Sequence, residues 1–475
     1  MQLEGLTIKS GMKIELPAAP VDYYICTFGT NLTSNPVPIR QAYITGTSAL
    51  VYDTDDNLYV TGTGYNTSVY RSVYQGVTVK FNTSATVDWQ TSLSASSSDY
   101  PAMYSINLDS SNNVYVAGAF TRNRQDITKS PTYQIAKYNT NGALQWQRNL
   151  GYGFTSFVPN FGQGLVVEKS TGNFYVTGDT VIGSIGSQTT QMTVVKYNSS
   201  GIIQWARQIG RSGTNEHSNA VALDSTGNVY IAGSTTYSGQ NAASIVKYNS
   251  SGVLQWQTCL SGTTNSNSNE FSSITIDSSD NIFVCGHTTT ISNLTVGMIA
   301  KYNSSGTLIW QRKISNPSIV KLYGISTDNE GDVYAVGIPG SYYGLVVKYS
   351  TSGELQWQRR VSGEHSTLGF AIIQFSSIAF DSSNNMTIGG SVTPDDARSN
   401  SDMLILRLPP DGTLTGTYGV NGYQITYGTD VNTSEPLTQT PVTSTMTSES
   451  VTYAEAGPST LDSSSTSFVN IVTQI

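Results

Sequence analysis

Hydrophobic and polar residues alternate with a period of two in short segments that recur along most of this 475-residue chain, as in the Asn-Val-Tyr-Ile-Ala segment at 228–232. Such alternation is typical of β-strands that bury one face. The stretch 224–256 contains two hairpin signatures, one opened by an Asp-Ser-Thr-Gly-Asn turn and one centred on an Asn-Ser-Ser-Gly turn. It therefore predicts a unit of four strands joined by hairpins.

Two signatures repeat with a fixed internal spacing. The first runs from a turn residue, in most copies aspartate, to a glycine nine positions later, and it covers 53–62, 109–118, 169–178, 224–233, 277–286, 328–337 and 381–390. The second runs from a basic residue to a tryptophan, also nine positions later, at 80–89, 137–146, 196–205, 247–256, 301–310 and 348–357, with 407–416 as a degenerate last copy. All six tryptophans occupy this one position, so we expect them to pack between units.

These repeats predict an all-β fold, a seven-bladed β-propeller of four-stranded antiparallel blades. The alternation and the β-branched and aromatic content exclude a helical solenoid. Aspartate side chains should cap the backbone two residues on, and glycine should supply the positive φ of the second turn at Gly142, Gly201, Gly252, Gly306, Gly353 and Gly412. Ala85 replaces that glycine in the first copy, which predicts a looser turn there.

We predict three parts: an N-terminal arm at 1–40, the propeller at 41–418, and a Ser/Thr-rich acidic tail at 419–475, with arm and tail as candidate assembly contacts. The tail composition is typical of disordered segments. Order in the tail would require support from the propeller surface or from neighbouring subunits. The last copy has Thr415-Gly416 in place of Gln-Trp, so the outer strand of its blade is either Leu414–Val420 or a strand added by the arm at Tyr23–Thr27, which would staple the ring.

The spacings also distinguish the two faces of the predicted disc. If strands A to D run outward in each blade, the A–B and C–D turns lie on one face and have constant length, whereas the B–C and D–A connections lie on the other and vary. Variable loops on a rigid scaffold commonly carry recognition. The B–C connections hold side chains suited to stacking on sugars or anchoring a protein partner. These candidate contacts are Tyr65, Tyr70, Arg71, Tyr74, Arg122, Arg124, Tyr237, Tyr342, Tyr343 and Arg398. The alternative is that the tyrosines only cover the loops.

Candidate chemistry is sparse. His217 and His365 fall in D–A connections of different blades and His287 follows a strand-ending glycine, so we expect neither metal ligation nor histidine-based catalysis. The acidic run 53–57 superficially resembles a calcium loop, but no bidentate glutamate follows it, which favours turn capping. We predict no catalytic residues, no metal site and no cofactor.

The recurring charge is the basic residue of strand C, at Lys80, Lys137, Lys196, Lys247, Lys301, Lys348 and Arg407. Strand C is third from the axis, so an ion pair or stem packing between blades is favoured over an axial anion site. The aromatic residue that follows, Phe81 or Tyr138 and their equivalents, should fill the space between blades. An enzyme would instead require a polar cluster with shifted pKa values at the axial mouth, and only Ser, Thr and apolar residues there would exclude it.

Composition narrows the classes further. Charged residues make up 12% of the chain and the formal net charge is −8, which argues against nucleic-acid binding. No window approaches the roughly 18 apolar residues of a membrane helix, and the opening 1–16 lacks the features of a secretory signal. Cys26, Cys259 and Cys285 are widely spaced, so we expect buried free thiols and no disulfide framework or zinc site.

Two resemblances add to this interpretation. The strings D-S-x-G-N-V-Y-V-x-G and K-Y-N-S-S-G-x-L-Q-W-Q-R resemble the repeats of bacterial and phage families of seven-bladed propellers, a resemblance that covers 41–418 and implies a fold but no function. The opening MQLEGLTIKSGMKIEL, and the string DGTLTGTYG followed by the acidic tail, resemble virion structural proteins of tailed phages that infect marine cyanobacteria. This second resemblance implies a place in the tail, a fibre or the capsid exterior and no enzymatic role.

The expected function is therefore a non-enzymatic phage virion structural protein that displays a propeller for protein–protein or host-receptor contact. Its expected partners are other virion proteins and a host surface glycan or receptor, within a multi-subunit assembly and without nucleic acid or membrane insertion. Its expected location is the virion, after synthesis in the host cytoplasm without a signal peptide. The alternative is an extracellular or cell-surface carbohydrate-binding propeller, and a third class is an enzyme such as a quinone-dependent dehydrogenase or a polysaccharide lyase.

Overall fold

The computed structural model consists of β-strands joined by turns, and it describes residues 24–29 and 43–474. The segments left out of that range are 69–70, 95–98, 123–131, 151–163, 183–186, 211–212, 238, 262–268, 290–293, 316–318, 341, 366–368, 395–400, 414–415, 421–422, 430–432, 437–439, 444–446, 451–454, 457–461 and 465–468. Within the described part, no helix is long and apolar enough to cross a membrane.

One strand, β1 (Tyr24–Gly29), precedes a series of four-stranded antiparallel units, whose strands are called A to D in chain order. Unit one contains β2 (Tyr43–Tyr52), β3 (Leu58–Ser68), β4 (Arg71–Phe81) and β5 (Val87–Ser94), and unit two contains β6 (Asp99–Leu108), β7 (Val114–Arg122), β8 (Thr132–Tyr138) and β9 (Leu144–Leu150). Unit three contains β10 (Leu165–Val167), β11 (Phe174–Ile182), β12 (Thr189–Tyr197) and β13 (Ile203–Gly210), and unit four contains β14 (His217–Leu223), β15 (Val229–Tyr237), β16 (Gln240–Tyr248) and β17 (Leu254–Ser261). Unit five contains β18 (Glu270–Ile276), β19 (Ile282–Thr289), β20 (Thr295–Tyr302) and β21 (Leu308–Ser315), and unit six contains β22 (Val320–Thr327), β23 (Val333–Pro339), β24 (Gly344–Tyr349) and β25 (Leu355–His365). Unit seven begins with β26 (Gly369–Phe380), β27 (Met386–Pro394) and β28 (Asp402–Leu408).

The units are arranged around an axis. Each strand A contacts the strand A of the next unit, and β26 of the last unit contacts β2 of the first. Strand A is therefore innermost and the series closes on itself. The prediction of an all-β propeller built from four-stranded antiparallel sheets is confirmed.

Unit seven obtains its fourth strand from the arm. β1 pairs with β28 in antiparallel register, so that Tyr24 lies opposite Arg407, as Trp89 lies opposite Lys80 in unit one. Of the two alternatives for this position, the structure has the arm strand. The segment β29 (Gly416–Val420), which overlaps the other alternative, pairs with β30 (Tyr423–Thr429) instead.

The tail supplies a fifth strand to every unit. Its strands after β30 are β31 (Thr433–Pro436), β32 (Thr440–Thr443), β33 (Thr447–Ser450), β34 (Glu455–Ala456), β35 (Asp462–Ser464) and β36 (Val469–Gln474). In this order the strands β30 to β36 pair with the outer strands of units six, five, four, three, two, one and seven. The tail thus runs around the ring against the direction of the units, supported by the propeller's own edge.

The core lies between neighbouring units. Val194 and Ile209 of unit three pack with Val229 and Ile231 of unit four, all of them buried. A cluster of the same kind joins unit seven to unit one. Because every unit offers two apolar sheet faces, the stacking of units around the axis buries both.

A bulge in strand A explains the glycine of the first signature. In unit four the register shifts between Ser218 and Ala220, and a Cβ added to Gly233 would lie 1.8 Å from the carbonyl oxygen of His217. The corresponding distance from Gly286 to the carbonyl oxygen of Glu270 is 2.0 Å. Only glycine allows this close approach of the two backbones.

Candidate functional site

The A–B turns of the constant face are capped by the side chain that opens them. Asp53 Oδ1 accepts the backbone N–H of Asp55 at 2.9 Å and that of Asn57 at 2.9 Å, while Oδ2 accepts the hydroxyl of Tyr59 at 3.0 Å. The same pattern recurs at Asp224. Burial raises the pKa of this carboxyl, but hydrogen bonds from Asn228 and its neighbours outweigh burial, so the pKa lies below its ordinary value. The predicted capping role of these aspartates is confirmed.

Unit three differs from the sequence alignment by one residue. Lys169 was aligned with the capping aspartates, but the structure gives the role to Glu168, whose carboxylate accepts hydrogen bonds from Thr171, Asn173 and Tyr175. The assignment to Lys169 is wrong because this turn contains one extra residue. Burial raises the pKa of Glu168, but its hydrogen bonds have the larger effect. With that of Lys196, at 2.8 Å, as the largest contribution, they lower the pKa to about 2.

In six of the seven units the basic residue of strand C forms an ion pair, in five of them with the capping acid of its own unit. Lys247 Nζ lies 3.5 Å from Asp224 and 4.8 Å from the centroid of the Tyr230 ring, and it donates to the carbonyl of Ser304 in the next unit at 3.1 Å. The predicted ion pair is confirmed, but it lies mainly within a unit, and the contact between units is the bond to a turn carbonyl.

In units one to six, the tryptophan of strand D packs against the next unit. Trp256 Nε1 donates to Ser304 O at 3.2 Å, and a Cβ added to Gly306 would lie 2.9 Å from the indole. The aromatic side chain after the basic residue also packs here, as between Trp205 and the buried Tyr248, whose ring centroids are 6.4 Å apart. Both groups fill the space between units, as predicted. The turn glycine is thus required by its φ and also by the neighbouring indole.

The turn at Ala85 is not looser than the others, so that prediction is wrong. The Ala85 N–H donates to Asn82 O at 2.9 Å, compared with 3.0 Å from Gly142 to Asn139, and Ala85 adopts a φ of 57°. Unit seven, which precedes unit one around the ring, has β1 in place of a tryptophan strand. Alanine fits because no indole lies above this turn.

Neighbouring A–B turns are joined as well. Asp56, at a φ of 60°, accepts from the backbone N–H of Ser382 at 2.7 Å and from its hydroxyl at 2.6 Å across the closure of the ring, and Asp280 binds Ser225 in the same way. Gly331 occupies this position in unit six, and a polar cleft lies there between units five and six.

That cleft contains acidic residues that could be mistaken for a metal site. Oxygen atoms of Asp328, Glu330 and Asp332 lie within 4.8 Å of one another. Asp328 Oδ1 accepts the N–H groups of Glu330 and Asp332, and Asp332 pairs with Lys348 at 3.0 Å. The carboxylates of Asp328 and Asp332 are therefore engaged in the turn and its ion pair.

The predicted contacts on the variable face lie in different local settings. Tyr70, Arg124 and Arg398 fall outside the described residues. The structure assigns Tyr65 to β3, Arg71 and Tyr74 to β4 and Arg122 to β7, so these parts of the B–C connections are paired strand and not loop. Tyr237 ends β15 and is half-buried, Tyr342 is 44% exposed, and the ring of Tyr343 lies 4.7 Å from the Arg360 guanidinium. Among the members of the set that the structure describes, Tyr65 and Tyr74 are register partners across β3 and β4, and no contact joins the described members into one site.

Three charged residues instead meet near the axis of this face. His217, Glu270 and Lys321 occupy the same register position in strands A of units four, five and six, each opposite the residue that follows the strand B glycine. The units one, two and seven have Gly46, Ala102 and Gln374 at this position. We call His217, Glu270 and Lys321 the axial arc.

The arc is anchored by buried groups. His217 Nδ1 lies 2.7 Å from Asp179 of unit three, which is fully buried and also accepts the N–H of Ser218 at 2.8 Å and its hydroxyl at 3.1 Å. Burial lowers the pKa of His217, but the hydrogen bond and charge of Asp179, with the charges of Glu270 and Glu216, raise it above its ordinary value. His217 is thus held toward its charged form.

The remaining titratable groups follow from the same packing. Burial raises the pKa of Glu270 by more than the charges of Lys321 and His217 lower it. His287 lies 3.5 Å from Glu270, but burial and the charge of Lys321 lower its pKa to about 4, so it is uncharged near neutral pH. Tyr323, beside Lys321, is 36% exposed, and burial and the charge of Glu270 raise its pKa.

The arc was missed from the sequence. Spacing alone gave no reason for His217 and His287 to lie near each other. Because neighbouring strands A have the same register, Glu270 lies next to His217 around the axis and also contacts His287. An alignment of strands A would have shown the difference two positions before the bulge. Units one, two and seven have small or uncharged residues there, and units four, five and six have ionisable ones. The condition set for excluding an enzyme, only Ser, Thr and apolar residues at the axial mouth, is not met.

The thiols follow the expectation where they are described. Cys259 and Cys285 are buried thiols that are not in a disulfide, and burial raises the pKa of Cys285 strongly. The side chain of Cys26 lies outside the described residues.

Comparison with known proteins supports the fold. A family model described as a β-propeller repeat matches residues 204–237, and a domain of unknown function (DUF5122) β-propeller matches 225–254. A search of curated proteins found no match. Both matches overlap the first repeat signature of unit four, at 224–233.

Among solved structures, the polysaccharide lyase Uly1 is 10% identical, with 82% of this chain and 98% of that chain covered and a TM-score of 0.42. The Trypanosoma rangeli sialidase is 8% identical over 65% and 54% of the two chains, with a TM-score of 0.38. The tail fibre of Staphylococcus aureus phage P68 is 15% identical over 55% and 52%, with a TM-score of 0.26. These likenesses are too distant to bear on function, and the chain is similar to β-propeller repeat proteins.

Proposed function

We propose that this chain is a non-enzymatic phage virion structural protein, a component of the tail, a fibre or the capsid exterior, whose propeller contacts another virion protein or a host receptor through its variable face. The location in a virion rests on the resemblance of the chain's opening and close to virion proteins. The use of the variable face rests on its geometry.

The observation that carries the binding role is the axial arc. The rest of the ring repeats closely, yet three neighbouring units place His217, Glu270 and Lys321 at one register position. Charges grouped on one part of a surface direct and select a partner of complementary charge. On the constant face, by contrast, the capping carboxylates are engaged in hydrogen bonds and ion pairs.

That the chain is non-enzymatic is part of this proposal, and one observation at the axial arc supports it. The hydroxyl of Ser218, the residue that follows His217, is buried and donates to Asp179. It is not presented to His217 as a nucleophile would be.

The binding role is tested with a variant that combines His217→Gln, Glu270→Gln and Lys321→Met. We expect adsorption of the purified protein to host cells, or to particles that lack it, to weaken by about tenfold or more, because the complementary charges are lost. The matched control is Glu354→Gln, an exposed charge on a turn of the constant face. Equal adsorption of both variants and the wild type would contradict a role of the arc.

The virion role is tested separately by mass spectrometry and labelled-antibody electron microscopy of purified particles. We expect the chain in stoichiometric amount at one location. Particles without it would overturn the virion assignment while leaving the adsorption result intact.

Exposed aromatic residues favour the second candidate, a carbohydrate-binding propeller of the cell surface or the extracellular space. Tyr342 is 44% exposed and Phe370 is 63% exposed, and both lie on the variable face. Such rings stack on sugars. A glycan array tests the sugar-binding role: hits that are lost in Phe370→Ala favour a sugar ligand, and an array without hits would count against this candidate and against a glycan receptor for the first.

A further inference from the structure

In two A–B turns the serine that follows the capping aspartate binds a carboxylate of the next unit. Ser225 of unit four donates its backbone N–H to Asp280 at 2.9 Å and its hydroxyl at 2.7 Å. Ser382 of unit seven donates the same two groups to Asp56, at 2.7 and 2.6 Å. We call the N–H and hydroxyl of such a serine its donor pair. Both donor pairs bind an aspartate at the fourth position of the neighbouring turn.

The donor pair of Ser278 in unit five is not used in this way. Four A–B turns open with Asp-Ser, at Ser110, Ser225, Ser278 and Ser382. The N–H of Ser110 donates to Lys169 O of the next unit at 2.9 Å. Ser278 alone of the four has no hydrogen-bond partner among the residues that the structure describes. The fourth position of the neighbouring turn is Gly331, and a Cβ added there would meet nothing within 4 Å.

The spacing of units five and six does not explain this difference, because it matches that of other units. Trp310 Nε1 donates to Thr351 O at 3.1 Å, and the equivalent bond between units four and five is 3.2 Å long. The turn of Ser278 has its usual cap, since Asp277 Oδ1 accepts the N–H of Ser279 at 2.9 Å. Ser278 therefore presents its donor pair as the other serines do, and it lines a cleft of about 350 Å³ between the two units.

An amine without an ion pair lies beside the same cleft. Lys301 is the basic residue of strand C in unit five, and within the described part of the chain it is the member of its series that forms no ion pair. Its Nζ donates to the carbonyl of Thr351 at 3.1 Å and to the hydroxyl at 2.9 Å, and Thr351 lines the cleft. An anion in the cleft would be attracted by this unpaired charge.

Acids at equivalent positions are present where a donor pair does bind a carboxylate. Asp277 and Asp328 line the cleft and accept N–H groups of their own turns, as capping aspartates do in other units. Glu330 is exposed at the third position of its turn. Unit one has Asp55 at that position, directly before the serine-bound Asp56. The acids of the cleft are therefore compatible with a further carboxylate.

We propose that the cleft between units five and six binds an aspartate or glutamate side chain of a partner protein. The carboxylate accepts the N–H and hydroxyl of Ser278, as Asp56 and Asp280 do elsewhere in the ring. A side chain on a peptide is favoured over a free anion because the cleft is larger than one carboxylate, and because Ser279 and Thr351 offer polar groups to a peptide backbone. The site lies on the constant face, so it is independent of the partner bound by the variable face.

The site is tested in the full chain labelled with ¹⁵N-serine, with N-acetyl-aspartate amide as the probe. We expect a saturable downfield shift of the Ser278 amide at concentrations on the order of 10 mM, because the N–H gains a charged acceptor. Acetate should bind at least about threefold more weakly, because it lacks the peptide groups. Equal affinity of acetate would overturn the peptide-borne ligand. N-acetyl-asparagine amide is the matched neutral probe, and an equal shift with it, or no shift with any probe, would overturn the site.

A variant that supplies the carboxylate from the chain itself gives a second test. In Gly331→Asp the Ser278 amide should lie downfield without a probe, and the blocked aspartate should bind about tenfold more weakly or worse, because the donor pair is already used. Gly227→Asp is the matched control, since Gly227 has the same turn position in unit four, with a φ of 79° against 84°, and faces unit three. It should bind like the wild type. Weaker binding in both variants would mean that net charge decides binding, and unchanged binding in Gly331→Asp would mean that Ser278 does not; either result would overturn the site.

Discussion

A regular interface between units and the interface that closes the ring have the same kind of apolar packing, but their outer strands differ. Between units four and five, Trp256 covers Gly306 and donates to Ser304 O. Between units seven and one there is no indole, and β1 lies in the position of the tryptophan strand. Apolar packing and a carboxylate–serine contact are present at both. A repeat interface can thus be encoded locally, whereas the closing interface needs a strand from the far end of the chain.

The largest effect is expected from removing that strand. Deletion of residues 1–40 leaves the outer edges of β28 and β36 unpaired, and the lost backbone hydrogen bonds should lower the free energy of unfolding by on the order of 5 kcal/mol. Chemical denaturation and amide exchange of β28 measure this. Deletion of residues 1–20, which keeps β1, is the control, and equal unfolding midpoints for both deletions would refute the closing role.

Exchange of glycine and alanine at the second turn should have a large effect at a regular interface and a small one at the closing interface. Gly252→Ala places a Cβ 2.8 Å from the Trp205 indole at a φ of 75°, and the strain and crowding should cost about 2 kcal/mol. Ala85→Gly relieves strain but removes a buried methyl group, so its net effect should be within about 1 kcal/mol. Urea denaturation compares the two. A similar large loss for both would show that the indole does not decide the choice of residue.

The stability of the protein at acid pH should depend on Glu168, the residue that replaces the capping aspartate in unit three. The folded-state pKa of Glu168 is about 2, below its ordinary value of 4.5, so its stabilisation is fully present above pH 4.5 and is lost as the pH falls toward 2. Since the site is partly solvated, we expect about 1–2 kcal/mol. Glu168→Gln should flatten the decline of the urea midpoint between pH 4.5 and 2. Parallel curves for variant and wild type would argue against the ion pair with Lys196.

A smaller effect distinguishes two tryptophans. In Trp256→Phe the hydrogen bond to Ser304 O is lost, which should cost about 1 kcal/mol beyond the change in packing. Trp357 Nε1 has no hydrogen-bond partner among the described residues, and the turn carbonyl of Pro410 accepts from Tyr334 instead. Trp357→Phe should therefore be milder, as measured by thermal unfolding. The reverse order would contradict the role given to the indole N–H.

The smallest effect concerns the turn contacts. Asp56→Gly and Asp280→Gly keep the left-handed turn and remove the carboxylate that binds serine in the neighbouring unit. Each should cost about 0.5–1 kcal/mol, because a lost exposed contact is partly offset by relief of strain. Equal losses are expected at the closing interface and the regular one, and a much larger loss for Asp56→Gly would mean that the ring depends on this single contact. Thermal unfolding of the pair provides the comparison.

The sequence by itself determined the repeating part of this protein, because the strand alternation, capping residues, turn glycines and tryptophans act over a few residues or between identical neighbours. Those local rules predicted the propeller and the packing role of the tryptophans. They failed at Glu168, where one inserted residue moved the capping role. They also failed at Ala85, where the residue depends on unit seven, whose strand A begins only at Gly369 and whose fourth strand is β1.

Only the tertiary structure decided the features that join distant parts of the chain. The strand bulge that requires Gly233, the pairing of β1 with β28 and the meeting of His217, Glu270 and Lys321 depend on which strands become neighbours around the axis. The seven-residue step of the tail was visible in the threonines from Thr426 to Thr447, but it acquires meaning only when each step is matched to one unit. Local patterns define a strand and its turns, and closure of the ring sets which of them meet.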